Sequence, residues 1–432
     1  MNQQQYDNYV KILHSELIPA MGCTEPIAVA FAAAKARNVL GCMPETIIAI
    51  CSGNIIKNVK SVIVPNSGGQ RGIEAAAVLG AVAGKSDLGL QVISQVTPEQ
   101  SAEAKILLSK GMCTCKLAEG VDNLYIHIIA SAGANSAEVE IRTKHDHISR
   151  IIKNGTVLLE SPDIQTEVSG DKSQLNVKDI LDFANTVELE DVQTVLEMQI
   201  KCNSAISEEG LTNTWGAAVG QTILEDEGSS TLQKARAAAA AGSDARMNGC
   251  ALPVVINSGS GNQGITCCMP IVVYAKELGS SHEQLLRALT LANLVAIHQK
   301  RYIGNLSAYC GAVSAATGAA CGIAYLQGAD YDLIGTTIIN SIGTTGGIIC
   351  DGAKSSCAAK ISAAVEAAVL GYGMARRGRR FEFGAGLVDG DYEQTIRNIG
   401  CIGREGMKTT DVTILNLMIS PPQDNSYIHE GE

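Results

Sequence analysis

Apolar positions recur on two different periods along this chain, and the change of period divides it. Residues 5–18 place Tyr9, Ile12, Leu13 and Leu17 on one face of an amphipathic helix. A second helix follows Gly22-Cys23-Thr24-Glu25-Pro26, with Pro at an early position and an Ala-rich run to Arg37. The apolar run 46–51 predicts a buried strand, ended by Ser52-Gly53-Asn54. The Ala-rich stretch 73–83 returns to helix, with Gly84 placed to cap it.

Beyond residue 112 the period falls to two. Residues 124–130 and 137–142 alternate polar with apolar, as half-buried strands do, and Gly133-Ala134-Asn135-Ser136 turns between them. Lys153-Asn154-Gly155-Thr156 is a tight hairpin signal. With a helix over 98–109 these strands make a small antiparallel unit. A polar stretch, 161–176, reads as a linker. After it the helical period dominates: 177–186, 189–206, 215–225, 232–240 and a helix near 358–374. The expected class is α+β. A small antiparallel-sheet N-terminal domain covers residues 1–165, and its first helices contribute to the site. A larger, mainly α-helical catalytic domain covers 175–432. A length of 432 residues suits two domains.

Composition narrows the function. Aromatics are only 4% of the chain, so Ala, Val, Ile and Leu must fill the core and helices can approach closely. A net charge of −11 leaves no basic stripe to neutralise phosphates, which argues against a nucleic-acid partner. The one dense basic run, Arg376-Arg377-Gly378-Arg379-Arg380, fits a solvated loop or a subunit salt bridge. Fourteen cysteines behind a polar N-terminus point to a reducing cytoplasm rather than a disulfide scaffold. No Asp, Glu, Lys or Arg occurs between Arg246 and Lys276, between Arg301 and Asp330, or over 333–350. These stretches are long enough to span a bilayer, yet they are rich in Gly, Ser, Thr and Asn. Buried helices meeting at a site fit them better than a membrane does; a transporter with broken helices is the competing reading. Ala-rich helices also make a homodimer the expected assembly.

The densest polar segment is Asn257-Ser258-Gly259-Ser260-Gly261-Asn262-Gln263-Gly264, set between two apolar runs. Gly permits close approach of a ligand, while Ser, Asn and Gln offer uncharged donors suited to a carboxylate or phosphate. No Lys-Ser/Thr pair closes it as a P-loop would. Ser52-Gly53-Asn54, with Lys57 and Asn58, is a weaker cluster of the same kind. Cys23 stands at a helix N-terminus, where the helix dipole favours a thiolate. Cys310, Cys350 and Cys357 lie in nearly uncharged segments. They are either packing residues or ligands of an iron–sulfur cluster with one iron left free. Cys-x6-Cys matches no common zinc pattern. The histidines form no H-E-x-x-H motif, and His145 and His147 fall on a strand turn expected at the surface. No G-x-S-x-G elbow supports a serine hydrolase.

Five segments together resemble the L-cysteine desulfidase family, an uncharacterised family related to the α-chain of iron–sulfur L-serine dehydratases. They are Gly22-Cys23-Thr24-Glu25-Pro26, Ser243-Asp244-Ala245-Arg246-Met247, Ser258-Gly259-Ser260-Gly261-Asn262-Gln263-Gly264, Leu306-Ser307-Ala308-Tyr309-Cys310 and Cys350-Asp351-Gly352-Ala353-Lys354-Ser355-Ser356-Cys357. The resemblance implies a [4Fe-4S] lyase that converts L-cysteine to pyruvate, ammonia and sulfide. It places Cys310, Cys350 and Cys357 at the cluster-ligand positions and Cys23 at an N-terminal acid/base position. The spacing of Cys350 and Cys357 is shorter than in the serine dehydratases. On this reading Ser52, Asn54, Ser258, Ser260, Asn262 and Gln263 orient a small amino-acid substrate, and Cys23 acts as a thiolate base. Serine or threonine dehydration on the same scaffold is the alternative chemistry. A solute-binding or transport protein without a cluster is the alternative class.

Overall fold

Ala-rich helices and alternating strands build the first part of the chain, and the computed structural model describes residues 1–161, 169–304 and 306–419. Helix α1 (Gln3–Glu16) is started by a capping box between Asn2 and Gln5. Strand β1 (Pro19–Met21) leads into α2 (Thr24–Leu40), β2 (Thr46–Ser52), α3 (Gly53–Val59), α4 (Gly72–Ala83) and α5 (Pro98–Ser109). Then come β3 (Cys113–Ala118), β4 (Tyr125–Ala132), β5 (Asn135–Arg142), β6 (Ile148–Lys153) and β7 (Thr156–Glu160). The sheet order is β3-β2-β4-β5-β6-β7.

The α+β class expected from the pattern is the observed one, with one difference in the sheet. Strands β2 and β3 pair in parallel, Ile47 opposite Cys113 and Ser52 opposite Ala118, while all other pairs are antiparallel. A parallel pair needs a long crossover, and α3 to α5 supply it. Along β4, Ile126, Ile128 and Ala130 are buried, the face that α2 covers. The hairpin at Asn154-Gly155 has both residues at positive φ (49° and 78°), as a type I′ turn requires. Small residues let α2 and α4 touch backbone to backbone. A Cβ on Gly80 would fall 2.2 Å from the Ala30 carbonyl oxygen.

The remaining chain is mainly helical: α6 (Val177–Thr186), α7 (Gln193–Thr212), α8 (Val219–Asp226), α9 (Thr231–Met247), strand β8 (Pro253–Val255), α10 (Gly261–Leu278), α11 (His282–Ile303) and α12 (Gly311–Leu326). It continues through α13 (Tyr331–Thr345), α14 (Cys357–Ala375), α15 (Tyr392–Cys401) and α16 (Lys408–Ile419). The linker expected over 161–176 lies partly outside the described residues. The uncharged stretches become α10, α12 and α13, which are buried along most of their length. Among the described residues, α14 alone is long and apolar enough to cross a membrane; it packs on α9, α12 and α13.

One junction decides where the site falls. Strand β1 pairs antiparallel with β8, with Ala20 opposite Val254. This ties the start of α2 to the start of α10, more than two hundred residues later. Gly22 makes the turn out of β1 at φ 58°, and a Cβ there would strike Pro65 at 2.3 Å.

Candidate active site

Four helices begin at one cavity: α2, α10, α12 and α14. Cys23 is the N-cap of α2, Ser260 of α10 and Cys310 of α12, while Cys357 is the first residue of α14. None of the four N-termini has a side-chain cap. Their free N–H groups and aligned dipoles make the cavity a place for negative charge. Cys23, Cys310, Cys350 and Cys357 all line it, together with Glu25, His145, Arg246, Lys300 and the knot residues Ser258, Ser260, Asn262 and Gln263.

Cys310 and Cys350 are brought together by a short antiparallel bridge. Tyr309 pairs with Ile349; the Cys310 N–H donates to the Ile348 carbonyl (3.0 Å), and the Cys350 N–H to that of Ala308. Residues on either side of a bridged pair point to the same face, so both thiols face the cavity. The bridge is itself clamped. Asp411 of α16 accepts from the Ala308 N–H (2.9 Å) and pairs with Lys57 of α3, which also donates to the Cys350 carbonyl (3.3 Å). Cys357 and Cys23 meet in one small apolar cluster with Val62 and Met247.

The polar knot is held from behind by buried amides. Asn257 donates to the Asn293 Oδ1 (2.9 Å), Asn293 and Gln199 exchange hydrogen bonds (2.8 and 3.0 Å), and Ser258 donates to the Asn257 Oδ1 (2.9 Å). Thr24 donates to the Gly259 carbonyl (2.9 Å), joining the knot to the Cys23 turn.

The acid–base groups sit beside this junction. The Cys23 thiol donates to the Glu25 Oε2 (3.0 Å), the Thr24 hydroxyl lies 3.1 Å from the same oxygen, and Asn58 donates to Oε1 (3.0 Å). Burial alone would raise the Glu25 carboxyl. His145, the Cys23 hydrogen bond and Arg246 outweigh it and hold the group below its ordinary range. Burial and the Glu25 carboxylate push the Cys23 thiol well above its ordinary range. Cys23 is therefore a neutral thiol at rest, not the thiolate that the helix dipole alone predicts; burial and the carboxylate two residues on reverse that sign. Burial, then Cys350, pushes Cys310 up to about 12, and burial also raises Cys357. Burial pushes Lys300 down to about 8.

The family model described as "Serine dehydratase alpha chain" matches residues 87–416. The chain belongs to that family. A UPF0597 protein of Finegoldia magna is 53% identical over 414 residues, covering 95% of this chain and 99% of the relative. A UPF0597 protein of Lachnoclostridium phytofermentans is 48% identical over 416 residues, covering 96% and 100%. One from Treponema denticola is 44% identical over 428 residues, covering 97% and 99%. Membership relates the protein to lyases of the serine dehydratase type.

Cluster ligation in this serine dehydratase α-chain relative can be judged from its thiols. Among the described residues no group of three His, Cys, Asp or Glu side chains is set to hold a single metal ion. Cys310, Cys350 and Cys357 share one cavity, and sulfur donors are the kind that normally hold an iron–sulfur centre. The residues fit the group.

Two expected substrate contacts lie elsewhere. Ser52 caps α3, accepting from the Ile55 N–H (3.4 Å) and donating to the Asn123 carbonyl (2.7 Å). Ser52 and Asn54 line a separate cavity beside β3 and α16, because the chain continues from β2 directly into α3. His145 is not at the surface: the turn between β5 and β6 folds over the knot and buries it, with Nε2 4.0 Å from the Glu25 Oε1.

Sequence reasoning also passed over Glu25, Arg246 and Lys300 as site residues. The first two stand inside segments that carried the family resemblance, which was the available signal. Lys300 ends an amphipathic helix and carried none.

Asp244, two residues before Arg246, gives a prediction of its own. It accepts from the Gly220 N–H (3.3 Å) at the start of α8, and burial raises its carboxyl to about 6. The unfolded carboxyl titrates near ~3.9, so between that pH and about 6 the folded state holds more protons and stability falls as pH rises. Asp244→Asn keeps an acceptor and loses the charge. The variant is expected to be more stable than the wild type at pH 8 by roughly 2 kcal/mol, with the gap closing towards pH 4. Urea unfolding at the two pH values measures it.

Proposed function

We propose that this protein is a [4Fe-4S]-dependent β-elimination lyase that converts L-cysteine to pyruvate, ammonia and sulfide. The observation that carries the reading is the meeting of Cys310, Cys350 and Cys357 with the Cys23–Glu25 pair at four uncapped helix N-termini. Cys310, Cys350 and Cys357 would hold the cluster. Bound there, it supplies an iron with an open position, a Lewis acid for the departing β-substituent.

The chain's own residues do the rest. Cys23 and Glu25 hold one proton between them. When substrate binding shifts that proton to the carboxylate, against its resting preference for sulfur, the Cys23 sulfur is free to take the α-proton of the substrate. The Cα–H pair becomes the Cα–Cβ double bond as the Cβ–S bond breaks, and sulfide leaves with both electrons of that bond. The aminoacrylate released hydrolyses to pyruvate and ammonia without further help. Burial of Cys23 and Glu25 keeps bulk water from competing for the proton.

The family match favours a second reading on the same scaffold, dehydration of L-serine or L-threonine. Anaerobically reconstituted protein assayed with cysteine, serine and threonine separates the two. Pyruvate and sulfide in equal amounts from cysteine, at the highest kcat/KM of the three, is the expected result. A higher kcat/KM for serine or threonine would make the protein a dehydratase, and no turnover of any of them would sink the lyase reading.

A further inference from the structure

The guanidinium of Arg246 has no hydrogen-bond or close ion-pair partner among the described residues. It closes the last turn of α9 and is only 2% exposed, yet it lines the cysteine cavity. Among the described residues it makes no ion pair and donates no hydrogen bond, and its Nε is buried with nothing to meet. Arg stays protonated in proteins, so the charge cannot be shed. Glu25, whose carboxylate the guanidinium helps to keep ionised, makes no close ion pair with it and already accepts from Cys23 and Asn58. A buried cation left in this state is built for an anion that arrives from outside.

Its surroundings say what kind of anion. A Cβ on Gly261 would fall 2.3 Å from the Arg246 Nε and 2.8 Å from Cζ, so the guanidinium packs directly against the first residue of α10. The uncapped first turn of α10 presents its N–H groups at the same corner. Next to these donors, Asn262 Oδ1 and Gln263 Oε1 are buried acceptors without donors. The side chain of Gln263 is pressed against Gly311, where a Cβ would come within 2.5 Å of its Cδ. Fixed donors for a carboxylate beside fixed acceptors for an ammonium are the complement of one α-amino acid end.

We infer that Arg246, with the first turn of α10, anchors the α-carboxylate of the substrate, and that the site therefore selects zwitterionic α-amino acids over their amides. The inference rests on the lyase reading for the identity of the substrate, but not for the anchoring itself. It assigns carboxylate recognition to the protein and leaves the β-substituent for the metal side of the cavity.

Calorimetric titration of the iron-loaded protein under anaerobic conditions tests it. L-Alanine keeps the carboxylate and ammonium but has no leaving group; L-alaninamide lacks the negative charge. The wild type is expected to bind alanine at least about tenfold more tightly than the amide. Arg246→Met is expected to lose that preference while keeping its iron, and Arg246→Lys to recover part of it. Equal binding of the two ligands by the wild type, or an undiminished preference in Arg246→Met, overturns the assignment. So does loss of iron from Arg246→Met, which would give the guanidinium the role of balancing the cluster's charge. The lyase reading fails by a different result: a loaded protein that prefers alanine to its amide and yet turns over no amino acid.

Discussion

Cys350→Ala is expected to lose iron and activity together. Cys350 is placed by the Tyr309–Ile349 bridge and by Lys57, so its thiol cannot be replaced by a neighbour sliding into position. If the three thiols hold a cluster together, removing one is expected to weaken its retention strongly. Iron per chain after anaerobic reconstitution is expected to fall to background, with turnover following it. Cys321→Ala is the control. Cys321 is fully buried inside α12, does not line the cavity, and should keep its iron and most of its activity. Equal iron retention in both variants would show that the loop cysteines are packing residues.

The second large effect is expected at Glu25. Glu25→Gln preserves shape and the contact with Asn58 but removes the carboxylate that the Cys23 thiol faces. The proton then has no place to go when the sulfur is needed as a base. Turnover is expected to fall by about 10²- to 10⁴-fold, the usual contribution of a positioned acid or base, with iron content unchanged. Cys23→Ala should behave alike, and the double variant should be little worse than either single one, because the two residues act as a unit. If Cys23→Ala sheds iron instead, Cys23 is a ligand and the acid–base assignment is wrong. Iron content measured beside kcat distinguishes the outcomes.

Much of the fold was legible because its signals are local. The Asn154-Gly155 hairpin, the alternation along 124–130 and the Ala-rich run before Gly84 all fell where elements form or end. Gly84 illustrates the limit. It ends α4 as expected, but at φ −66° rather than left-handed, and its lack of a side chain matters because a Cβ would sit 2.7 Å from that of Ala34. The parallel pairing of β2 with β3 was not legible, since nothing in an apolar run states the direction of its neighbour.

The site divides in the same way. Cys23 at a helix start could be read, as could the Gly-rich knot. What could not be read was the pairing of β1 with β8, which brings Glu25, His145 and Arg246 around one junction. Ser52 and Asn54 resembled ligand-binding residues because polar residues after a buried strand often are. Here the chain turns at once into α3, and Ser52 is consumed as its cap. The neutral Cys23 thiol has the same origin. The dipole of α2 is a local term and favours the anion, whereas burial and a facing carboxylate are tertiary terms and prevail.

Everything turns on whether the sulfurs of residues 310, 350 and 357 share a polynuclear metal centre. Quantifying iron and acid-labile sulfide in anaerobically prepared wild-type protein, alongside its visible spectrum, addresses that most directly. A brown protein with close to four of each per chain, as a [4Fe-4S] centre demands, is the predicted result. Colourless, metal-free protein after reconstitution with ferrous iron and sulfide would contradict it.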